Sequence, residues 1–172
     1  RYLCAFALLQ VAAAFDWNDG SLDNIGRRVD VVETVSVGQL LKEFPADENI
    51  KQGVMESRNS IEKILDQKDD RLFVIVGPCS IDNHDAALEY ARRLNELRPE
   101  VSDALLLVMR VYVEKPRTIV GWKGLLYDPH LDGSGNLTEG LRASRRVLRD
   151  VSRLGLPVAT EFVSPLAAPY LA

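Results

Sequence analysis

The chain has 172 residues, 47% of them hydrophobic and 27% charged, which is the profile of a soluble globular domain and excludes a disordered or fibrous chain. At this length folding can bury roughly 70% of the unfolded surface, so a core needs no disulfide or structural metal, while a complete eightfold α/β barrel, at about 250 residues, is excluded. The net charge of -4 leaves no electrostatic footprint for nucleic acid. Between Arg110 and Lys123, however, four cations stand against one acid, and an acidic protein with one cationic loop is suited to a small anionic ligand.

Cys4 and Cys79 are too few for a disulfide framework, which favours a reducing compartment and a cytoplasmic location. Residues 2–15 form an apolar run behind Arg1 with Ala12, Ala13 and Ala14 near its end. That is loosely the shape of a secretory signal, too short to span a bilayer, and a truncated or misassigned start is the competing reading. Turn residues follow in 16–28, and Val29, Val31, Val32 and Val35 read as a short edge strand.

From Ser36 the pattern is helical: a short segment to Phe44, a break at Pro45, then a longer helix with Ile50, Val54, Ile61, Ile64 and Leu65 on one face. Leu72–Val76 is a continuous apolar run, expected as a strand covered on both faces, and it ends in Gly77-Pro78-Cys79-Ser80. Asp82 or Asn83 caps the next helix, whose inner face is expected to carry Ala86, Ala87, Tyr90, Ala91 and Leu94. Leu105–Tyr112 is a second strand. Thr138 is expected to cap a helix with Leu141, Val147, Leu148, Val151 and Leu154 inward and a solvated outer stripe of Arg142, Arg145, Arg146, Arg149 and Arg153. Val158–Val163 is a third strand, and Pro165 opens another helix. This alternation predicts an α/β chain of parallel βα units, with its last helix interrupted at Ala172.

In such folds ligands sit at the carboxyl ends of the strands. There the first strand delivers Cys79, the second Arg110 and Tyr112 and then Lys115-Pro116-Arg117-Thr118 and Lys123, and the third Glu161. Arg110, Lys115, Arg117 and Lys123 converge on one rim. Guanidinium groups bind phosphate or carboxylate through paired N–H bonds and ammonium groups act as compact charges, so the mixture suits a ligand with several anionic groups. A solvated basic loop is the bland alternative, but Pro116 stiffens this loop and Gly121 and Gly124 permit close backbone approach. By position alone Cys79 reads as a small buried hydrophobe before it reads as a nucleophile or metal ligand. Glu161, ending an apolar strand, is explained either by an ion pair with a loop cation or by contact with substrate, metal or water. His84 is expected to be exposed, and His130 can line the site.

Gly77-Pro78-Cys79-Ser80, Met109 to Thr118 and Gly121-Trp122-Lys123-Gly124-Leu125, together with Asp128-Pro129-His130, Gly155 to Phe162 and Leu41 to Pro45, closely resemble class I 3-deoxy-D-arabino-heptulosonate 7-phosphate (DAHP) synthase. The resemblance covers about residues 30 to 171. It implies condensation of phosphoenolpyruvate with erythrose 4-phosphate, the opening step of the shikimate pathway, on a (β/α)8 barrel with a divalent metal (Mn, Fe, Co or Zn). Cys79 would then be a metal ligand. Arg110 and Lys115 would hold phosphoenolpyruvate, with Lys115 also assisting proton transfer and Lys123 adding to the field. Pro116, Arg117 and Thr118 would receive erythrose 4-phosphate, and Glu161 would position the water or the metal shell.

The same resemblance implies an unassigned segment 1–29, a helical extension 30–70 and a partial barrel of about three βα units over 71–172. The family's other metal ligands, a His, a Glu and an Asp, come from later strands, so the chain as written is expected to be an inactive portion of the enzyme. A homo-oligomer with an interface near Val29–Phe44 and an aromatic amino acid effector are further implications; a membrane partner is not expected. Two alternatives remain: a related phosphoenolpyruvate-condensing phosphosugar synthase, and a non-catalytic anion-binding remnant.

Overall fold

In the computed structural model residues 34–117 and 120–172 are described; the expectations for the apolar run, Cys4, the strand up to residue 33 and Thr118 lie outside them. Helix α1 (Val37–Glu43) starts where the Ser36 side chain accepts from the Gln39 N–H, and helix α2 (Glu48–Leu65) where Asp47 accepts from the Ile50 N–H. Each cap satisfies a backbone donor that the first helical turn leaves free. Ile50 is buried on α2 and Val54, Ile61 and Ile64 are half-buried, but Leu65 is exposed, since it lies about 100° round the helix from Ile64.

Strand β1 (Leu72–Val76) runs parallel to β2 (Leu105–Arg110), with Leu72 opposite Leu105 and Val76 opposite Met109. β2 in turn pairs parallel with β3 (Val158–Ala159), so the three-stranded sheet has the order β1-β2-β3. Helix α3 (His84–Val101), capped by Asn83, connects β1 to β2, and helix α4 (Leu137–Arg153) precedes β3. A 3-10 turn (Pro165–Ala167) leads into a short helix α5 (Ala168–Leu171). This is an α/β architecture with a parallel sheet, and Thr34–Ala172 forms one compact unit.

The core lies between one sheet face and α3 and α4: Leu107, Met109, Val111 and Val113 meet Ala87, Ala91, Leu94, Leu141, Val147 and Val151. β1 is not covered on both faces as its apolar run predicts. Ile75 is exposed on the sheet face turned away from the helices, and Leu72, on the same face as Val74 and Val76, is exposed at the start of an edge strand. On α3 the buried stripe is Ala87, Ala91 and Leu94, while Ala86 and Tyr90 face solvent, one step round the helix from that stripe.

Asn136, not Thr138, caps α4: its side chain accepts from Glu139 N–H, and the Thr138 hydroxyl is buried without a partner. β3 is much shorter than the expected Val158–Val163. Its ladder to β2 ends at Ala159, and residues 160–164 run on as irregular backbone.

The arginine stripe of α4 is solvated only in part: Arg146 and Arg153 are exposed, whereas Arg142 and Arg149 are half-buried and Arg145 is buried. Arg145 is buried and donates to the Phe44 carbonyl at 3.3 Å and the Leu171 carbonyl at 2.9 Å. Arg142 pairs with Glu43 at 2.8 Å, Arg153 approaches Asp47 at 3.6 Å, and the Arg149 guanidinium lies 5.1 Å from the Phe44 ring centroid. Four of the five arginines thus contact residues 43–47, from the end of α1 to the cap of α2. His84 is half-buried and tied to α4, its Nε2 lying 3.0 Å from Asp150 Oδ2. Among the described residues no helix is long and apolar enough to cross a membrane.

Candidate functional site

The turn after β1 is pinned to the end of β2. The Tyr112 carbonyl accepts from the Ile81 N–H at 2.8 Å and the Ser80 hydroxyl at 3.0 Å, which leaves Cys79 exposed and facing the cations that β2 delivers. Lys115 Nζ donates to Cys79 Sγ at 2.6 Å and to the Cys79 carbonyl at 3.2 Å. Arg110 Nη2 donates to the same carbonyl at 3.1 Å, and its guanidinium stacks 4.0 Å from the Tyr112 ring centroid. The Arg110 Nε–H is buried without a hydrogen-bond partner among the described residues.

These contacts hold the Cys79 thiol below its ordinary pKa. The hydrogen bond from Lys115 is the largest cause, followed by the charge of Lys115; burial opposes them in part, and Arg110 and Arg117 add smaller contributions in the lowering direction. Cys79 is therefore an exposed thiol in a cationic setting rather than the buried hydrophobe that its position alone favours.

The cationic loop folds back on itself. The Lys115 N–H donates to the Lys123 carbonyl at 2.9 Å, and the Arg117 Nε–H lies 3.4 Å from the Trp122 carbonyl. Pro116, Arg117 and Lys123 are exposed. Trp122 Nε1 donates to the Asp128 carbonyl at 2.8 Å, fixing the far side of the loop. Gly124 adopts φ +102°, and a Cβ there would strike the Val113 carbonyl, so the loop closes against β2 only with glycine at this position.

Cys79, Arg110 and Lys115 are in direct mutual contact, and Arg117 and Lys123 stand on the adjoining loop. Glu161 is half-buried just past β3 and forms no ion pair with a loop cation among the described residues. His130 is exposed in the turn that follows Asp128.

Glu114 escaped the sequence reading except as part of a motif. It is fully buried: Oε1 accepts from the Tyr127 hydroxyl at 3.0 Å, and Oε2 from the Val163 N–H at 2.8 Å and the Ser164 N–H at 3.4 Å. Burial and this carboxylate together raise the Tyr127 pKa. The available signal was an acid set between buried Val113 and the site lysine, a place where an unpaired carboxylate would be costly.

A divalent metal would need several donors. Among the described residues no group of three His, Cys, Asp or Glu side chains is placed to hold one, and the Cys79 sulfur faces an ammonium. The described residues do not by themselves compose a metal centre.

The profile of the DAHP synthetase I family matches residues 43–172. The Phe-sensitive phospho-2-dehydro-3-deoxyheptonate aldolase of Escherichia coli (strain K12) is 53% identical over 133 residues, covering 77% of this chain and 38% of that relative. A phospho-2-dehydro-3-deoxyheptonate aldolase of Amycolatopsis methanolica is 48% identical over 151 residues, covering 88% of this chain and 74% of that relative. The solved structure of phospho-2-dehydro-3-deoxyheptonate aldolase from Francisella tularensis SCHU S4 superimposes with a TM-score of 0.79 at 40% identity, over 83% of this chain and 42% of that one. The chain thus spans about 38% of the length of the E. coli relative. With the family profile matching residues 43–172, the chain belongs to the DAHP synthetase I family.

Proposed function

We propose that this chain carries part of the active site of a DAHP synthase, which condenses phosphoenolpyruvate with erythrose 4-phosphate and releases phosphate. The observation that carries the reading is the Cys79–Arg110–Lys115 cluster at the carboxyl ends of β1 and β2, beside the Arg117 and Lys123 loop. On this reading the three βα units are the first part of a (β/α)8 barrel, α1 and α2 form an N-terminal extension, and the protein works in the cytoplasm. An aromatic amino acid effector is in keeping with relatives described as Phe-, Tyr- and Trp-sensitive, and a homo-oligomer is part of the same reading.

Arg110 and Lys115 bind the anionic groups of phosphoenolpyruvate, and Lys123 adds to the positive field. Lys115 also moves a proton. Pro116, Arg117 and Thr118 receive erythrose 4-phosphate, with Arg117 on its phosphate. Glu161 orients the water that adds to phosphoenolpyruvate. Fixed cations offset the charge of two phosphorylated substrates and hold them in a reactive alignment, which is where the protein's own contribution to the rate lies. Cys79 would offer one thiolate donor to a divalent metal, whose chemistry when bound would be to polarise the aldehyde or activate water.

The test is phosphate release by the full-length gene product, supplied with divalent metal. Release requires both substrates together, and Lys115→Met abolishes it. Binding of phosphoenolpyruvate with no release under any metal overturns the enzyme reading in favour of anion binding alone. Turnover with another phosphosugar but not with erythrose 4-phosphate moves it to a related synthase.

A further inference from the structure

Glu114 is the one fully buried charged side chain among the described residues, and the substrate contacts proposed above make no use of it. It stands where three segments meet: the backbone that continues from β2, the 124–128 turn through Tyr127, and the backbone past β3 at Val163 and Ser164. The described backbone bonds between the ends of β2 and β3 stop at Val111 N–H to the Ala159 carbonyl. Beyond that point residues 160–164 leave the sheet, and the Glu114 carboxylate takes over as acceptor for the amides of Val163 and Ser164.

The neighbours in sequence give this contact its consequence. Lys115 follows Glu114 directly, and Glu161 precedes Val163 by two residues. One carboxylate therefore ties the strand end bearing the lysine to the strand end bearing the glutamate. We infer that Glu114 is a positioning residue for the condensation: its grip on the Val163 and Ser164 amides fixes Glu161 relative to Lys115. The inference rests on the proposed synthase reading for its kinetic consequence, and on the hydrogen bonds alone for its structural one.

Acceptor chemistry decides which substitutions break the device. Two amides and a hydroxyl all donate to Glu114, so the position needs acceptors. In Glu114→Gln the amide oxygen still accepts from both backbone N–H groups while its NH2 turns to the Tyr127 oxygen. Glu114→Ala removes every acceptor and strands the amides. Tyr127→Phe removes one donor and leaves the amide grip in place.

The test pairs two measurements on the full-length gene product. The first is amide hydrogen exchange at Val163 and Ser164: Glu114→Ala speeds it by about tenfold or more, the loss expected for a hydrogen bond to a charged acceptor, while Glu114→Gln and Tyr127→Phe leave it near wild type. The second is steady-state kinetics. In Glu114→Ala kcat falls by about 100-fold, the cost of a displacement on the order of 1 Å between reacting groups, with KM for phosphoenolpyruvate little changed. Glu114→Gln and Tyr127→Phe stay within about threefold of wild-type kcat, as befits a net loss no larger than one ordinary hydrogen bond.

If Glu114→Ala does not fold, Glu114→Asp, one methylene too short to reach all three donors, carries the same expectations. Unchanged exchange at both amides, or kcat retained in Glu114→Ala, overturns the inference. A fall in Glu114→Gln as deep as in Glu114→Ala also overturns it. A wild-type protein that performs no condensation sinks the synthase reading instead, and the exchange data still judge the grip of Glu114.

Discussion

Lys115 Nζ lies 2.6 Å from Cys79 Sγ, joining side chains that are 36 positions apart in sequence and come from the ends of two adjacent parallel strands. The ammonium favours the thiolate, so the Cys79 proton leaves at a lower pH than from an ordinary thiol. Lys115→Met removes the two largest causes of that shift, so the pH midpoint for alkylation of Cys79 by iodoacetamide moves up toward the ordinary thiol value. An identical midpoint in wild type and variant means the contact does not exist in solution.

Arg117 is exposed, with its Nε–H 3.4 Å from the Trp122 carbonyl, and is free to engage a ligand phosphate. Arg117→Ala raises KM for erythrose 4-phosphate by about tenfold, the equivalent of one charge-assisted hydrogen bond. KM for phosphoenolpyruvate changes far less. Equal effects on both constants remove the assigned role.

Arg142 and Arg145 lie on the same helix and contact the neighbouring residues Glu43 and Phe44, yet their loss has different consequences. Arg145→Ala leaves the half-buried Phe44 carbonyl and the buried Leu171 carbonyl without this donor and costs about 1–3 kcal/mol in urea unfolding. The Arg142–Glu43 pair is solvent-screened, and Arg142→Ala leaves the urea midpoint close to wild type. A larger loss in Arg142→Ala than in Arg145→Ala contradicts this ranking.

At the start of α4, Asn136→Ala removes the observed cap and lowers stability by about 1 kcal/mol. Thr138→Val replaces a buried hydroxyl that has no partner and is neutral or stabilising. Thermal unfolding of the two variants distinguishes them, and the reverse order restores Thr138 as the cap.

Much of the fold was legible in the chain. β1 runs over the five residues of its apolar block, and Ser36 and Asn83 cap the helices they precede, because strand and cap signals reside in a few adjacent residues. The meeting of Cys79 with Arg110 and Lys115 was also legible, since a parallel sheet delivers its strand ends to one side. Tyr90 and Leu65 were misjudged because an apolar residue one step off the buried stripe resembles its neighbours in sequence but points about 100° away.

What the sequence determined by itself was the local order: the succession of helices and strands along the chain, and which cations follow β2. Only the tertiary structure decided the pairings: Arg145 with the Phe44 carbonyl 101 positions earlier, His84 with Asp150, and Glu114 with the Val163 amide 49 positions later. It also decided that β3 leaves the sheet after Ala159. The reason is physical. Periodicity and capping depend on neighbours within a turn or two, whereas the cost of burying a charge depends on which distant donor the packed chain brings to it.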